Sequence, residues 1–278
     1  MPDRNNTKAK PSSGSVSLDT HSISSSDAHG VCSLDADGIY YKELNERIRA
    51  ALRAGATTIE VHNVRGQRYI GNAVEGDITF VVHGVPGQDL GAFMRGPHIR
   101  VIGNAQDGVG NTMDGGRIVI DGMAGDVLGY AMRDGRILVR GDVGYRVGIH
   151  MKSYMDRVPG IVIGGKAGDF LGEYMAGGAI VLLGMETGKP DAPLTGRSLG
   201  TGMHGGVIYI RGEVPEYQLG PGLKMEPVDD EDMAVLRPLV EDYAAAFGLD
   251  AAIILDASFV RVKPFSHRPY GNMYVGTN

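Results

Sequence analysis

Between about residue 66 and residue 212, apolar and polar positions recur with a period near nineteen residues. Aligned on their opening glycines, the segments GVPGQDLGAFMRGPHIRVI from Gly84, GNAQDGVGNTMDGGRIVID from Gly103 and GMAGDVLGYAMRDGRILVR from Gly122 superpose without a gap. The unit from Gly141 is longer by five residues around Tyr154–Arg157, and the unit from Gly165 returns to nineteen. A further unit with an insertion reaches Gly212, and a degenerate one precedes Gly84, which makes seven units. Each runs from glycines with a small or acidic neighbour, through a methionine and a Gly-rich turn, into an alternating I-x-V/I stretch. The methionines fall in line at Met94, Met113, Met132, Met151, Met175 and Met203. So do the pairs Ile99/Val101, Ile118/Ile120, Ile137/Val139, Ile161/Ile163, Ile180/Leu182 and Ile208/Ile210.

Alternation with period two predicts a short strand with one apolar face. Glycines at fixed offsets supply positive φ or close chain approach wherever the coil turns a corner. One unit cannot bury its own apolar face, whereas stacked units bury a continuous column. The pattern therefore predicts an all-β core, a parallel β-helix of about seven coils, with the methionines as an internal ladder. A propeller needs blades of forty or more residues, and the leucine-rich pattern L-x-x-L-x-L is missing.

The flanks read differently. Residues 1–36 are rich in Ser, Asp and Asn and predict a disordered tail. Residues 37–64 predict a helix, with Tyr41, Leu44, Ile48 and Leu52 at helical spacing, and a strand from TTIEVHNV; the helix would cap one end of the stack. After the repeat domain, 65–212, the segment 213–278 predicts a second helix at about Asp230–Phe247, with Met233, Leu236, Val240 and Tyr243 on one face. An extended, basic tail follows, placed to cover the other end or to reach a partner. Stacked strands need such covers, because open edges recruit other chains.

Composition narrows the function classes. A formal charge of −6 offers no basic field for nucleic acid or an acidic membrane. No apolar run is long enough to span a bilayer, and the N-terminus lacks the apolar segment of a secretory signal, so a cytoplasmic protein is expected. The single cysteine, Cys32, excludes an internal disulfide and any iron–sulfur cluster held by this chain alone. The opening Met1-Pro2 offers no N-terminal Cys nucleophile.

Four patterns invite a chemical reading. Gly196-Arg197-Ser198-Leu199-Gly200 is a G-x-S-x-G, the form of a hydrolase nucleophile elbow around Ser198, but that elbow needs a strand–turn–helix in an α/β sheet. Here Gly200 aligns with Gly91, Gly110, Gly129, Gly148 and Gly172, so Ser198 reads as a turn residue of the repeat. Asp107, Asp126 and Asp169 recur beside glycines, as in calcium-binding rolls, but with one acid per coil each reads better as capping its own turn. The G-x-G pairs open no helix of a βαβ unit. His62, His83, His98, His150, His204 and His267 lack metal-ligand spacing, although His150 and His204 flank aligned methionines. No catalytic, cofactor-binding or metal-ligating residue is expected in this chain.

The strings GQDLGAFM, GNAQDGVGNTMDGGRIVI, GDFLGEYMAGGAIVLLG and GRSLGTGMHGGVIYI resemble the GXGXG domain at the C-terminus of the glutamate synthase large subunit, over about residues 58–212. The chain departs from that pattern at Gln106, before Asp107, and at Ser198, where the family has Asn. The resemblance implies a right-handed β-helix without catalytic residues, wedged between a glutamine-hydrolysing domain and an FMN/iron–sulfur synthase domain. Because no such portions are present here, it implies a stand-alone structural subunit. Its partners would be a class II glutamine amidotransferase subunit and an FMN/iron–sulfur synthase subunit, serving glutamate biosynthesis and nitrogen metabolism. A related β-helix forms one of the subunits of formylmethanofuran dehydrogenase and of a formyltransferase/hydrolase complex. A scaffold there, or in an N-substituted glutamate synthase, is the alternative; an esterase using Ser198 is the remote one.

Overall fold

A computed structural model describes residues 30–188 and 190–265. It is a mostly-β parallel solenoid. Its strands are β1 (Val31–Asp35), β2 (Thr58–Arg65), β3 (Thr79–Val85), β4 (His98–Ile102), β5 (Asp114–Ile120), β6 (Asp134–Val139), β7 (Gly160–Ile163), β8 (Ala176–Leu182) and β9 (Gly205–Arg211). They stack in chain order, each parallel to the next. The register is the one the repeat asks for. Phe80 pairs with Ile99, Ile99 with Ile118, Ile118 with Ile137, Ile137 with Ile161, Ile161 with Ile180 and Ile180 with Ile208. These side chains and the six aligned methionines fill the interior and are buried.

The turn opposite the strands is built from left-handed backbone at every second residue. In one coil Val127, Gly129 and Ala131 have φ of 50, 68 and 50°; in the next, Arg146, Gly148 and His150 have 53, 70 and 57°. The first and third N–H groups donate forward, from Val127 to Tyr145 O and from Ala131 to Ile149 O, both at 2.8 Å. The middle one donates backward, from Gly129 to Val109 O at 2.8 Å. The three left-handed residues thus send their N–H groups alternately to opposite neighbours, which ties the corner to the coils on both sides. The middle residue must also be small. A Cβ on Gly129 would lie 2.5 Å from Ile161 Cδ1, and on Gly148 2.5 Å from Ile180 Cδ1.

The flanks correct the sequence reading in part. The expected tail over residues 1–36 ends earlier, because Val31–Asp35 is β1, paired with β2 from Val31↔Thr58 to Asp35↔His62. Residues 1–29 and 266–278, with the rest of both expected tails, and Lys189 lie outside the described residues. Helix α1 (Tyr41–Arg53) buries Leu44 and Ile48 in the same core as β1 and β2. Buried Asn45 ties it to the first turn by donating Nδ2–H to Arg68 O at 2.8 Å.

Helix α2 (Asp230–Phe247) lies along the outer face of the sheet. Its Leu236, Leu239, Val240 and Tyr243 pack on Val119, Leu138, Val162 and Val181, the outward residues of β5 to β8. A capping box starts it, with Asp232 N–H on Asp229 Oδ1 at 3.0 Å and Asp229 N–H on Asp232 Oδ2 at 3.1 Å, and Gly248 at φ 67° ends it. A short helix, α3 (Ala251–Leu255), leads to the end of the stack. There β10 (Leu223–Pro227) and β11 (Phe259–Pro264) close the sheet, β11 running antiparallel to β9 and β10 to β11. One carboxylate joins the parts. Asp232, 2% exposed, accepts from Tyr209 Oη at 3.1 Å, Lys263 Nζ at 2.8 Å and Arg261. Burial pushes its pKa up, but Lys263, Arg261 and the Asp229 backbone together prevail and hold it at about 2.

Three outcomes follow from this packing. Gly129→Val or Gly148→Val adds an unfavourable φ and a clash, so each is expected to cost more than the ~1 kcal/mol of an ordinary Gly substitution; an unchanged melting temperature would contradict the turn geometry. Met132→Ala removes a fully buried side chain and should cost roughly 2–5 kcal/mol by denaturant titration. Because the folded pKa of Asp232 lies below its ordinary 3.8, its contribution is present above about pH 4 and is lost as pH falls toward about 2. The stability advantage of the wild type over Asp232→Asn, measured from pH 6 to pH 2, should shrink across that window.

Candidate functional site

The tempting nucleophile comes first. Ser198 takes φ 62° as the first residue of its left-handed trio, followed by Gly200 at 66° and Gly202 at 72°; Phe170 holds the same position one coil earlier at 64°. The strained φ that marks a nucleophile elbow is here a property of the repeat. Leu199 is buried beside it and bonds to the closing segment, donating to Gln218 O at 2.8 Å and accepting from Gly220 N–H at 2.7 Å. Ser198 O accepts from Thr201 Oγ1 at 3.0 Å, and His204 sets Nδ1 against Gly202 O at 3.2 Å. Among the described residues no histidine or carboxylate bonds to the Ser198 hydroxyl.

The recurring acids bridge coils, which corrects the reading of each as a cap on its own turn. Asp107 Oδ1 accepts the N–H of Asp126 at 2.9 Å, Asp126 Oδ1 that of Tyr145 at 2.8 Å, and Asp169 Oδ1 that of Arg197 at 2.8 Å. Each carboxylate therefore reaches the equivalent residue one coil on. The glycine just before each donating N–H, such as Gly125 or Gly144, leaves the space in which the carboxylate lies. Asn104 and Asp142 do the same three residues earlier, bonding Met123 N–H at 2.9 Å and Lys166 N–H at 2.8 Å. These oxygens are committed to the backbone. Among the described residues no three His, Cys, Asp or Glu side chains are grouped to hold a metal ion, and no helix is long and apolar enough to cross a membrane.

Two histidines pair, and a third joins tyrosines, in contacts the sequence did not disclose. His62 stacks on His83 with ring centroids 4.5 Å apart, in an open groove with Ser33, Asp35, Asn63 and Arg65. His150 does not meet His204. It stacks on Tyr174 at 5.4 Å, receives the edge of Tyr130 at 5.9 Å, and Tyr174 in turn lies over Gly202. On the same side the Arg146 guanidinium sits 4.7 Å from the Phe170 ring and pairs with Glu173 at 2.9 Å. Tyr130, Tyr145 and Tyr174 are exposed there, and the inserted tip adds Tyr154 and Met155, the latter 82% exposed. The outward face of β5 to β8 lies under α2, whereas among the described residues the turn face presents exposed aromatic rings. Its chemistry suits contact with another macromolecule better than turnover of a small one.

The chain is similar in sequence to known proteins. A family model described as the GXGXG motif matches residues 41–265. An uncharacterized protein of Methanocaldococcus jannaschii is 47% identical over 243 residues, which cover 85% of this chain and 93% of that protein. The motif's glycines at alternate residues are what a trio of left-handed positions asks for. Here the middle position is glycine throughout, from Gly71 to Gly200, while the first is glycine at Gly108 and the third at Gly202. On the extent of that match, and with a turn that explains the motif in physical terms, the chain belongs to the GXGXG motif family.

Proposed function

We propose that this chain is a non-catalytic structural subunit of a multi-subunit glutamate synthase-type complex. It packs between a class II glutamine amidotransferase subunit and an FMN/iron–sulfur synthase subunit. The observation that carries the reading is the GXGXG match over residues 41–265, which takes up most of the chain as solenoid and flanking elements. The polar groups that the sequence offered for chemistry support it: Ser198 is a turn residue, and Asp107, Asp126 and Asp169 hold neighbouring coils together.

A parallel stack of this kind suits the task. Its coils are tied by ladders on the strand side and by alternating N–H donation on the turn side, so two bodies docked along it keep a fixed separation. The FMN and iron–sulfur cluster of the partner supply the redox chemistry. A cluster needs several thiolates, and the one cysteine here, Cys32, is buried, with its thiol pKa pushed up by burial.

Affinity purification of the tagged chain from its host tests the proposal. It should bring down an amidotransferase-type protein and a flavin-containing iron–sulfur protein, and recovery with neither would overturn it. A molybdopterin or zinc amidohydrolase-type partner would instead assign the scaffold to formyl chemistry. The purified chain should show no hydrolysis of p-nitrophenyl esters. Hydrolysis abolished in Ser198→Ala would make it an enzyme.

A further inference from the structure

The forward-donating N–H groups of the turn follow one rule along the stack. The first residue of each left-handed trio, from Tyr69 to Phe170, donates to a carbonyl of the next coil at 2.8–3.0 Å. The third, from Ala73 to Tyr174, does the same at 2.7–3.1 Å. The last trio breaks the rule. Ser198 and Gly202 hold its first and third places, yet among the described residues neither N–H has an acceptor. The closing segment takes only the middle of this trio, where Leu199 N–H donates to Gln218 O at 2.8 Å and Gly220 N–H to Leu199 O at 2.7 Å. Buried side-chain atoms run short of partners at this end too. Thr195 Oγ1, Gln218 Oε1 and Arg211 Nε have no hydrogen bond among the described residues, and they belong to the last coil and the segment that closes it. Polar groups withdrawn from water are costly to leave unpaired, so the bonding of this end is unfinished.

An open groove runs beside the two N–H groups. It lies along β10, the last strand of the sheet and paired on one side only, with Leu219, Gly220, Leu223, Met225 and Phe265 in its walls. Gly220 joins the groove to the trio, since a Cβ there would lie 2.6 Å from Thr201 Cα. The chain itself leads into this groove. Phe265 N–H donates to Gly222 O at 2.9 Å and its ring lies 5.0 Å from Lys224 Nζ, so residues 266–278 begin at the groove's edge. An extended chain advances roughly 3.3 Å per residue, which is ample to cross the end of the stack. The residues that follow read SHRPYGNMYVGTN. Pro269 and Gly271 are turn residues, Met273, Tyr274 and Val275 are apolar residues suited to a strand, and Arg268 is opposite in charge to Glu216 on the groove's rim.

We propose that residues 266–278 of this chain occupy the groove: they turn back at Pro269–Gly271, lay Met273–Val275 along β10 and Leu219, and supply the main-chain carbonyls that the N–H groups of Ser198 and Gly202 lack. The inference goes beyond the reading of the chain as a structural subunit and does not rest on it, because it concerns how the chain ends its own stack. It also has a consequence for assembly. An unpaired strand edge recruits extended segments of other chains, and a groove filled from within withholds β10 from them. Partners then meet the solenoid elsewhere than at this end.

Amide exchange, followed by NMR on the full chain and on a chain ending at Phe265, tests the proposal. In the full chain the Ser198 and Gly202 amides should exchange on the order of 100-fold more slowly than in the shortened one. Phe170 and Tyr174, bonded one coil earlier, should be protected equally in both. Met273→Asp/Val275→Asp in the full chain should expose the same two amides. A synthetic peptide of residues 266–278 should restore their protection when added to the shortened chain, which a mere loosening of the end would not allow. Equal exchange of both amides in the full and shortened chains would overturn the proposal, and so would a peptide without effect. Protection in the full chain that fades on dilution would assign the two N–H groups to a second copy and overturn it as well.

Discussion

Every coil of this protein depends on a corner that must send its N–H groups alternately up and down the stack. Three alternate left-handed residues do so here, as Val127 and Ala131 donate forward and Gly129 backward. The middle residue carries the tightest demand, because the isoleucine of a following coil occupies the space of its Cβ, as Ile161 does over Gly129. Strain of order 1 kcal/mol at the non-glycine positions on either side is tolerated, since each gains an intercoil bond. Length variation is accordingly found outside the trio. The insertion at Tyr154–Arg157 follows the methionine and folds back on itself. The longer one after Gly184 is gathered by buried Lys166, whose Nζ donates to Pro190 O at 2.9 Å and to Ala192 O.

The same constraint divides the surface in two. Strand side chains alternate in and out, and from β5 to β8 the outward Val119, Leu138, Val162 and Val181 are apolar, so that face has to be covered and α2 covers it. Gly160 and Gly164 let the helix approach, lying against Leu239 and the Tyr243 hydroxyl. The Asp232 cluster then fixes the start of α2 to β9 and β11, which also closes the open end of the sheet against chance pairing. Among the described residues the turn side receives no such cover. It keeps Tyr130, His150 and Tyr174 stacked in the open.

Much of this is legible in the residues because a solenoid is nearly one-dimensional: each coil touches its neighbours, and the spacing of the repeat sets their register. The period, the buried Met and Ile columns, the two principal helices and the turn character of Ser198 all follow from local pattern. The outward apolar positions Val119, Leu138, Val162 and Val181 also carry a signal for a covering helix, within strands whose alternation alone predicts a single apolar face.

Other features lie beyond the sequence for physical reasons. Val31–Asp35 is five residues in a polar context and becomes a strand because β2 offers it an edge. Local pattern assigns the carboxylates of Asp107, Asp126 and Asp169 to their own turns, because backbone a coil away is invisible along the chain. Stacking His150 on Tyr174, twenty-four residues on, needs the inserted coil between them to close back into register. The amino-acid sequence by itself determined the repeat, its apolar interior and where glycine must stand, since those are contacts between equivalent residues. The tertiary structure alone decided which element covers the apolar outer face, since that turns on a helix more than a hundred residues from the first strand it shields.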